Sequence, residues 1–217
     1  MKELMSKEQR LSASPLSVVF LAFSAMTLLP GYPILAGALF VCLGMFYSFQ
    51  SARENNDILY SVLLPVRKTD VVRAKFRFCW RIEAIACAIM AVLTVLRMTL
   101  LKDFGPYVTN VLMPANPVFL GFVLLMFSAF NVVFLGGFFR TAYGIGKPFL
   151  GFFLVAVVLI GGGETLHHIP RLRVLAQSGL RPLLIQLAVL AGCGIVSLLL
   201  NLAACRKSMS RFEKLDF

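Results

Sequence analysis

The sequence predicts an all-α, polytopic membrane protein with six transmembrane helices and with both termini in the cytoplasm. Three observations lead to this fold class: a high apolar content, six apolar runs of spanning length, and basic residues concentrated between alternate runs. Of the 217 residues, 59% are hydrophobic and 14% are charged, and the mean hydropathy is +0.85. Soluble globular domains contain about 25% charged residues. The composition therefore excludes a soluble domain and indicates an integral membrane protein.

The six apolar runs are each close to the roughly 17 to 25 residues that a helix needs to cross a bilayer. They cover about residues 15–29, 31–49, 78–101, 117–139, 147–163 and 182–205. The first run is the shortest, and the proline and glycine residues between Leu28 and Pro33 predict a tight hairpin into the second. We expect the whole chain, residues 1–217, to form a single transmembrane domain.

Basic residues are distributed unevenly between the two sides of this predicted domain. With both termini inside, the inner segments contain 16 of the 21 Lys and Arg residues, and the outer side contains five. Seven of the inner ones lie in the segment 50–81, and the outer ones are Arg97, Lys102, Arg171, Arg173 and Arg181. Because cytoplasmic loops carry the excess of Lys and Arg, the count predicts that both termini are cytoplasmic.

The cytoplasmic segment 50–81 predicts two helices joined at a proline. Asn56 or Asp57 is suited to cap the first helix, and Pro65 disfavours helical backbone at the residue before it. Apolar residues of this first helix recur at the spacing of one helix face: Ile58, Leu59, Val62 and Leu63. A second helix is expected to begin at Thr69 and Asp70 and to continue without a break into the third apolar run. Basic residues four apart form a stripe along it, as on helices that lie at lipid headgroups: Arg73, Arg77 and Arg81.

Few charged or amide side chains fall within the apolar runs. A charged side chain at the centre of a transmembrane helix costs about 2.5 to 3.5 kcal/mol on the insertion scale. Glu83 and Arg97 both lie in the third run, and their separation puts them within about 40° of one stripe on a helix. Two interpretations are open: both side chains reach the headgroups, or their stripe faces a partner helix or a polar pathway. Asn131 and Asn201 are the other polar groups expected to favour contact between helices over contact with lipid.

No motif for catalysis, cofactor binding or metal binding stands out. The stretch TAYGIGKP does not match the ATP-binding pattern G-x-x-x-x-G-K-[ST], because Thr141 replaces the first Gly and Pro148 replaces the final hydroxyl residue. Glu164, His167 and His168 are of metal-ligand type, but three candidates without a fourth favour a solvated outer loop. We therefore expect no enzyme activity, no cofactor and no metal ion on this chain.

The net charge of +11 does not indicate a nucleic-acid-binding protein, because the basic residues lie between apolar runs and not on one face of a folded domain. The five cysteines lie within the runs or at their inner ends. No extracellular disulfide is therefore expected. Both features are typical of a helix bundle surrounded by a lipid bilayer.

Two short segments resemble permease subunits of ATP-binding-cassette exporters of the type-2 class. The first is YSVLLPVRK at 60–68, continued by DVVRAKF at 70–76; a similar cytoplasmic pattern joins the second and third spans in that family. The second is the carboxyl-terminal SMSRFEKLDF at 208–217. Six spans with both termini inside agree with this resemblance over the whole chain.

The resemblance implies that the helix at about 56–65 is a coupling helix that rests on a separate ATPase subunit. We expect the contact to be made by Ile58, Leu59, Val62, Leu63 and Pro65, with Arg67 and Lys68 as the charged part. The resemblance also implies two permease chains, identical or homologous, two ATPase subunits that bind ATP and Mg²⁺, and a small helix between spans five and six. The chain would then form the translocation path of an exporter in the cell membrane of a bacterium.

Two alternatives come from other functional classes. A membrane anchor that transports nothing, such as an immunity or sensor subunit, would show the same apolar pattern. A secondary transporter with its own ion site is less well supported, because no run contains a pair of acidic residues or a convincing inverted repeat. The substrate does not follow from the sequence, and peptides, lipids and drugs are all open.

Overall fold

The computed structural model describes residues 15–63, 65–108, 110–141, 143–166, 168–177 and 179–215, and all regular elements within these ranges are helical. In chain order they are α1 (Pro15–Leu21), a 3-10 helix (Ala22–Leu28), α2 (Ala36–Glu54), α3 (Asp57–Leu63), α4 (Lys68–Thr99), α5 (Gly105–Val108), α6 (Pro117–Thr141), α7 (Gly146–Leu166), a second 3-10 helix (Pro170–Leu175) and α8 (Leu180–Glu213). The predicted all-α class is confirmed.

Four of the described helices are long and apolar enough to cross a membrane, namely α4, α6, α7 and α8. They correspond to the predicted third to sixth runs. The first predicted run differs, because α1 and the 3-10 helix contain seven residues each. Together they are about 25 Å long, which is less than the ~30 Å hydrocarbon core. The second run begins as a turn, and its helix α2 ends in the polar sequence QSARE. Length and composition therefore support four of the six predicted spans.

The first 3-10 helix and α1 pack against α2 as the two arms of a hairpin that approach closely at glycines. A Cβ atom at Gly44 would lie 2.5 Å from Cβ of Phe20, and one at Gly37 would lie 2.7 Å from the carbonyl oxygen of Phe23. No other residue fits these positions without a shift of the backbone or of a neighbour. The turn between the arms contains Gly31 at φ 72°, a conformation that glycine adopts without strain.

The hairpin lies along most of α4. At one end, Nη1 of Arg97 donates to the carbonyl oxygen of Thr27 in the 3-10 helix at 2.7 Å. At the other end, Nζ of Lys75 lies 6.0 Å from the ring centroid of Phe49 on α2. The stretch of α4 between these two basic residues is about 33 Å long at 1.5 Å per residue. The hairpin and α4 therefore extend side by side over a distance close to the thickness of a bilayer core.

A wide turn interrupts the regular helix of α6, since Phe130–Leu135 is π-helical. The rings of Phe130 and Phe134 stack with centroids 4.8 Å apart, and Phe134 meets Phe49 of α2 edge to face at 5.4 Å. This aromatic core fixes α6 against α2. A π turn changes the direction of the side chains that follow it and is frequent at functional sites. Asn131, which the sequence singled out, lies on this turn.

Helix α8 has its most extensive contact with α6, and polar contacts hold the chain between α7 and α8 against both helices. Asn116 caps α6 by accepting from the Phe119 amide at 3.0 Å, and its Nδ2 donates to the carbonyl oxygen of Leu175 at 2.8 Å. Nε2 of Gln186 on α8 donates to the same oxygen at 3.0 Å and to that of Gln177 at 3.1 Å. The small helix expected between spans five and six is thus present as the second 3-10 helix.

Large apolar side chains cover the outward faces of α7 and α8. Exposed examples are Leu150, Leu154, Val158, Ile195 and Leu199. In a membrane such faces contact lipid tails or another protein chain, whereas the Phe-rich core of α6 is enclosed by the chain itself.

Candidate functional site

Helix α3 exposes only part of the apolar surface that the sequence assigned to it. Ile58 is 3% exposed and belongs to the core of the chain, and Val62 packs partly against that core. Leu59 and Leu63 are 37% and 77% exposed, and Tyr60 beside them is exposed as well. The four predicted contact residues are two adjacent i, i+4 pairs, which lie about 100° apart on a helix. The fold turns one pair inward and the other outward, so Ile58 does not lie on the exposed surface.

The inward side of α3 is joined to α4 by an ion pair. Nζ of Lys75 lies 2.7 Å from Oδ2 of Asp57, the first residue of α3. The Lys75 side chain is 2% exposed, and the ring of Phe49 lies above its ammonium group. A buried ion pair of this kind breaks at a large cost, because the remaining charge has no water to solvate it. Helices α3 and α4 are therefore held together at the point where α3 begins.

The other predicted contact residues, Pro65, Arg67 and Lys68, lie at the connection between α3 and α4, of which residue 64 is outside the described ranges. Pro65 and Arg67 are exposed, and Arg67 precedes α4 in extended backbone conformation. Lys68 starts the helix one residue earlier than predicted. Its ammonium group donates to the carbonyl oxygen of Leu215, just beyond the end of α8. The carboxyl-terminal end of α8 is thus in contact with the start of α4.

Three of the four intramembrane polar residues meet in one cluster between α4, α6 and α8. Nδ2 of Asn131 donates to both carboxylate oxygens of Glu83, at 2.9 and 3.0 Å, and to Oδ1 of Asn201 at 2.6 Å. Nδ2 of Asn201 donates to Oγ of Ser128 at 3.1 Å, and the Ser128 and Ser197 hydroxyls are hydrogen-bonded to each other. Each helix contributes at least one member, so the cluster joins all three.

The Glu83 carboxylate is buried and lacks a positive partner. Glu83 is 7% exposed, and among the described residues no Lys, Arg or His forms an ion pair with its carboxylate. Asn131 supplies a neutral donor only, and its own Oδ1 is buried without a hydrogen-bond partner in the described part of the chain. Glu83 therefore faces α6 and α8 within the bundle.

A cavity of about 280 Å³ adjoins the cluster, bounded by α4, α6 and α8 and partly open to the surroundings. Its polar lining is made by Glu83, Ser197 and Asn201, and the rest of its wall is apolar and includes Trp80 and Phe127. A pocket with an apolar wall and a few polar groups at one side is the usual form of a site for small organic molecules.

The fourth intramembrane residue, Arg97, is remote from the cluster. It lies about 21 Å along α4 from Glu83. Besides its bond to Thr27, its guanidinium carbon lies 4.4 Å from the ring centroid of Tyr107, whose hydroxyl donates to the carbonyl oxygen of Leu28 at 2.7 Å. Arg97 thus holds the hairpin against the end of α4, and its shared stripe with Glu83 does not make one continuous polar path.

The sequence did not identify Lys75, Ser128 or Ser197 as site residues. A serine one helical turn before an asparagine is a weak signal of a polar cluster between helices. It is present at both sites, three residues before Asn131 and four residues before Asn201. Of the residues set aside as metal ligands, Glu164 accepts from the Met113 amide at 2.8 Å, and His167 lies outside the described ranges. Within the described ranges no cluster of three His, Cys, Asp or Glu side chains is placed to hold a metal ion.

The family model described as ABC-2 family transporter protein matches residues 1–213 of the chain. No curated protein and no solved structure matches it. The matched range includes α3, the ion pair with α4, the polar cluster and its cavity.

Proposed function

The chain belongs to the ABC-2 transporter family, and on this premise we propose that it is the membrane-spanning subunit of an ATP-driven exporter. In this proposal a separate ATPase subunit binds ATP and Mg²⁺ and acts on the chain through α3. The observation that carries the proposal is the attachment of α3 to α4 by the buried pair of Asp57 and Lys75, because a helix that receives a force must be joined to the helix that moves.

The exposed side of α3 is suited to contact another protein. Leu59, Tyr60 and Leu63 form a patch too small to hold a helix in a membrane but typical of an apolar anchor that enters a groove. Pro65 and Arg67 continue this surface toward α4. Arg67 would contribute mainly to the rate of association and to its salt dependence, as charges at the edge of an interface do.

Six membrane crossings with both termini in the cytoplasm are part of the proposal. The excess of Lys and Arg at one end of the long helices supports this orientation. The hairpin of α1 and α2 extends beside about 33 Å of α4, which supports two further crossings despite the shortness of each arm. In this arrangement α3 and the end of α8 lie on the cytoplasmic side, and Arg97 lies at the outer end.

Movement would pass from α3 to the cavity through α4. Lys75, which binds α3, and Glu83, which binds α6 and α8, are about 12 Å apart on the same unbroken helix. A shift of α3 when the ATPase subunits close would therefore displace α4 relative to α6 and α8 and change the cavity between them. Two permease chains and two ATPase subunits would form the transporter, with the exposed apolar faces of α7 and α8 against lipid or the second permease chain.

Recovery of the ATPase subunit with the tagged chain tests this proposal. We expect Leu59→Ala with Leu63→Ala to weaken the complex at least about tenfold, since each truncated anchor typically costs more than ~1 kcal/mol. The matched control is Leu150→Ala with Leu154→Ala, an exposed pair with the same spacing on α7, which should leave recovery unchanged. Equal recovery of the ATPase with both double variants would overturn the role of α3.

A further inference from the structure

The cavity beside the polar cluster has the chemistry of a binding site for a particular class of ligand. We propose that it binds an amphipathic organic cation, with the positive group against Glu83 and the apolar part against the remaining wall. This inference rests on the proposed transport function, for which it names the substrate class.

The charge of the ligand follows from the surroundings of Glu83. A carboxyl group removed from water takes up a proton unless its charged form is paired and hydrogen-bonded. Asn131 provides hydrogen bonds at 2.9 and 3.0 Å, but no cationic side chain of the described residues pairs with Glu83. Since Glu83 also lines the cavity, a cationic ligand can supply the missing positive charge.

The apolar character of the ligand follows from the wall of the cavity. Apart from Glu83, Ser197 and Asn201, the lining side chains are apolar or aromatic: Trp80, Ala84, Cys87, Leu124, Phe127, Leu198 and Leu202. Such a wall cannot replace the water shell of a metal ion, which requires several oxygen ligands. Aromatic faces attract weakly hydrated ammonium groups, and the aromatic residues Trp80 and Phe127 both line the cavity.

The position of the cavity along the helices indicates how the ligand reaches it. Glu83 follows exposed Arg81 by two residues, and Asn201 precedes exposed Arg206 by five, so these two members of the cluster lie within about 8 Å of the basic end of the helices. In the proposed orientation this depth is that of the inner leaflet, just below its headgroups. An amphipathic cation dissolved in that leaflet has its positive group at the same depth.

The fluorescence of Trp80 provides a direct test, because the chain contains a single tryptophan. The purified full-length chain in dodecyl maltoside is titrated with 1-hexylpyridinium, a cation whose ring quenches indole fluorescence. We expect saturable quenching that hexyltrimethylammonium reverses by competition, whereas neutral 1-hexanol and anionic hexanesulfonate do not.

Three variants separate charge, space and stability. Glu83→Gln keeps the shape of the side chain and should weaken binding at least about tenfold, since it removes the charge pairing. Ala84→Leu fills the cavity and should weaken binding with the charge intact, whereas Glu213→Gln, at the exposed end of α8, should bind as the parent does. A folded Glu83→Gln variant with parental affinity, or equal competition by 1-hexanol, would overturn the proposal. The fluorescence assay contains no ATPase, so a negative result would not bear on the proposed contact between α3 and the ATPase. Conversely, a negative result in the ATPase recovery test would not bear on ligand binding in the cavity.

Discussion

Nζ of Lys75 on α4 lies 2.7 Å from Oδ2 of Asp57 on α3, and this contact joins two residues that are 18 positions apart in the sequence. The side chain of Lys75 is almost inaccessible to solvent, and that of Asp57 is 12% exposed. An exposed pair would contribute little, because water and salt screen it. Because this pair is largely buried, separating the two charges would leave each without a partner and without full solvation. The pair therefore fixes the position of α3 relative to α4.

Removal of one partner of this pair should destabilise the chain. We predict that Lys75→Met lowers the free energy of unfolding by about 3 kcal/mol, because Asp57 is left partly buried without its cation. Lys207→Met, at an exposed position of α8, should have an effect of less than about 0.5 kcal/mol. Denaturant titration in detergent measures both. Equal stability of the two variants would contradict the account of the pair, and Lys75→Met combined with Asp57→Asn should recover part of the loss.

The close approach of α1 and α2 predicts a sharp difference between two glycines. Gly44→Ala should destabilise the chain by about 1 to 3 kcal/mol, because its Cβ would lie 2.5 Å from Cβ of Phe20 and the two helices would have to separate. A Cβ at Gly192 on α8 meets no other atom within 4 Å. Gly192→Ala should therefore be neutral or stabilising by up to about 1 kcal/mol. Equal unfolding midpoints for the two alanine variants would show that the hairpin is not packed as described.

The orientation predicts which positions an impermeant maleimide can reach in intact cells. In a background without the five native cysteines, Asp103→Cys should be labelled, because its position follows α4 at the outer end and is highly exposed. Asn55→Cys, exposed between α2 and α3, should be labelled only after the membrane is permeabilised. Labelling of Asn55→Cys alone in intact cells would reverse the proposed topology.

Local signals in the sequence were sufficient to predict where many of the helices begin and end. Helix α3 begins at Asp57, one of the two predicted cap residues, and its described part ends shortly before Pro65. Helix α4 then begins within one residue of Thr69 and continues unbroken through the third apolar run. Caps, prolines and apolar run length act over a few residues, so they can be read without knowledge of the tertiary structure.

Contacts between distant parts of the chain could not be predicted in the same way. Lys75 has the same local pattern as Arg73 and Arg77, which are only half-buried, and its full burial depends on the return of α3 and on Phe49 of α2. The inward turn of Ile58 depends on the same packing. Glu83, Asn131 and Asn201 were noticed because polar groups are costly in an apolar run. That they meet, whereas Arg97 contacts the hairpin, depends on the π turn of α6 and on the order of the helices in the bundle.

The central claim is that the exposed side of α3 contacts an ATPase subunit, and photo-crosslinking at Leu63 tests it most directly. The photoreactive residue p-benzoylphenylalanine at this 77% exposed position should give, in cells, an adduct with a nucleotide-binding protein that mass spectrometry identifies by its ATP-binding motifs. The same residue at Leu154, exposed on α7, should give no such adduct. The account predicts the ATPase adduct at Leu63 only. The absence of that adduct at Leu63, in cells where the ATPase still co-purifies with the chain, would contradict it.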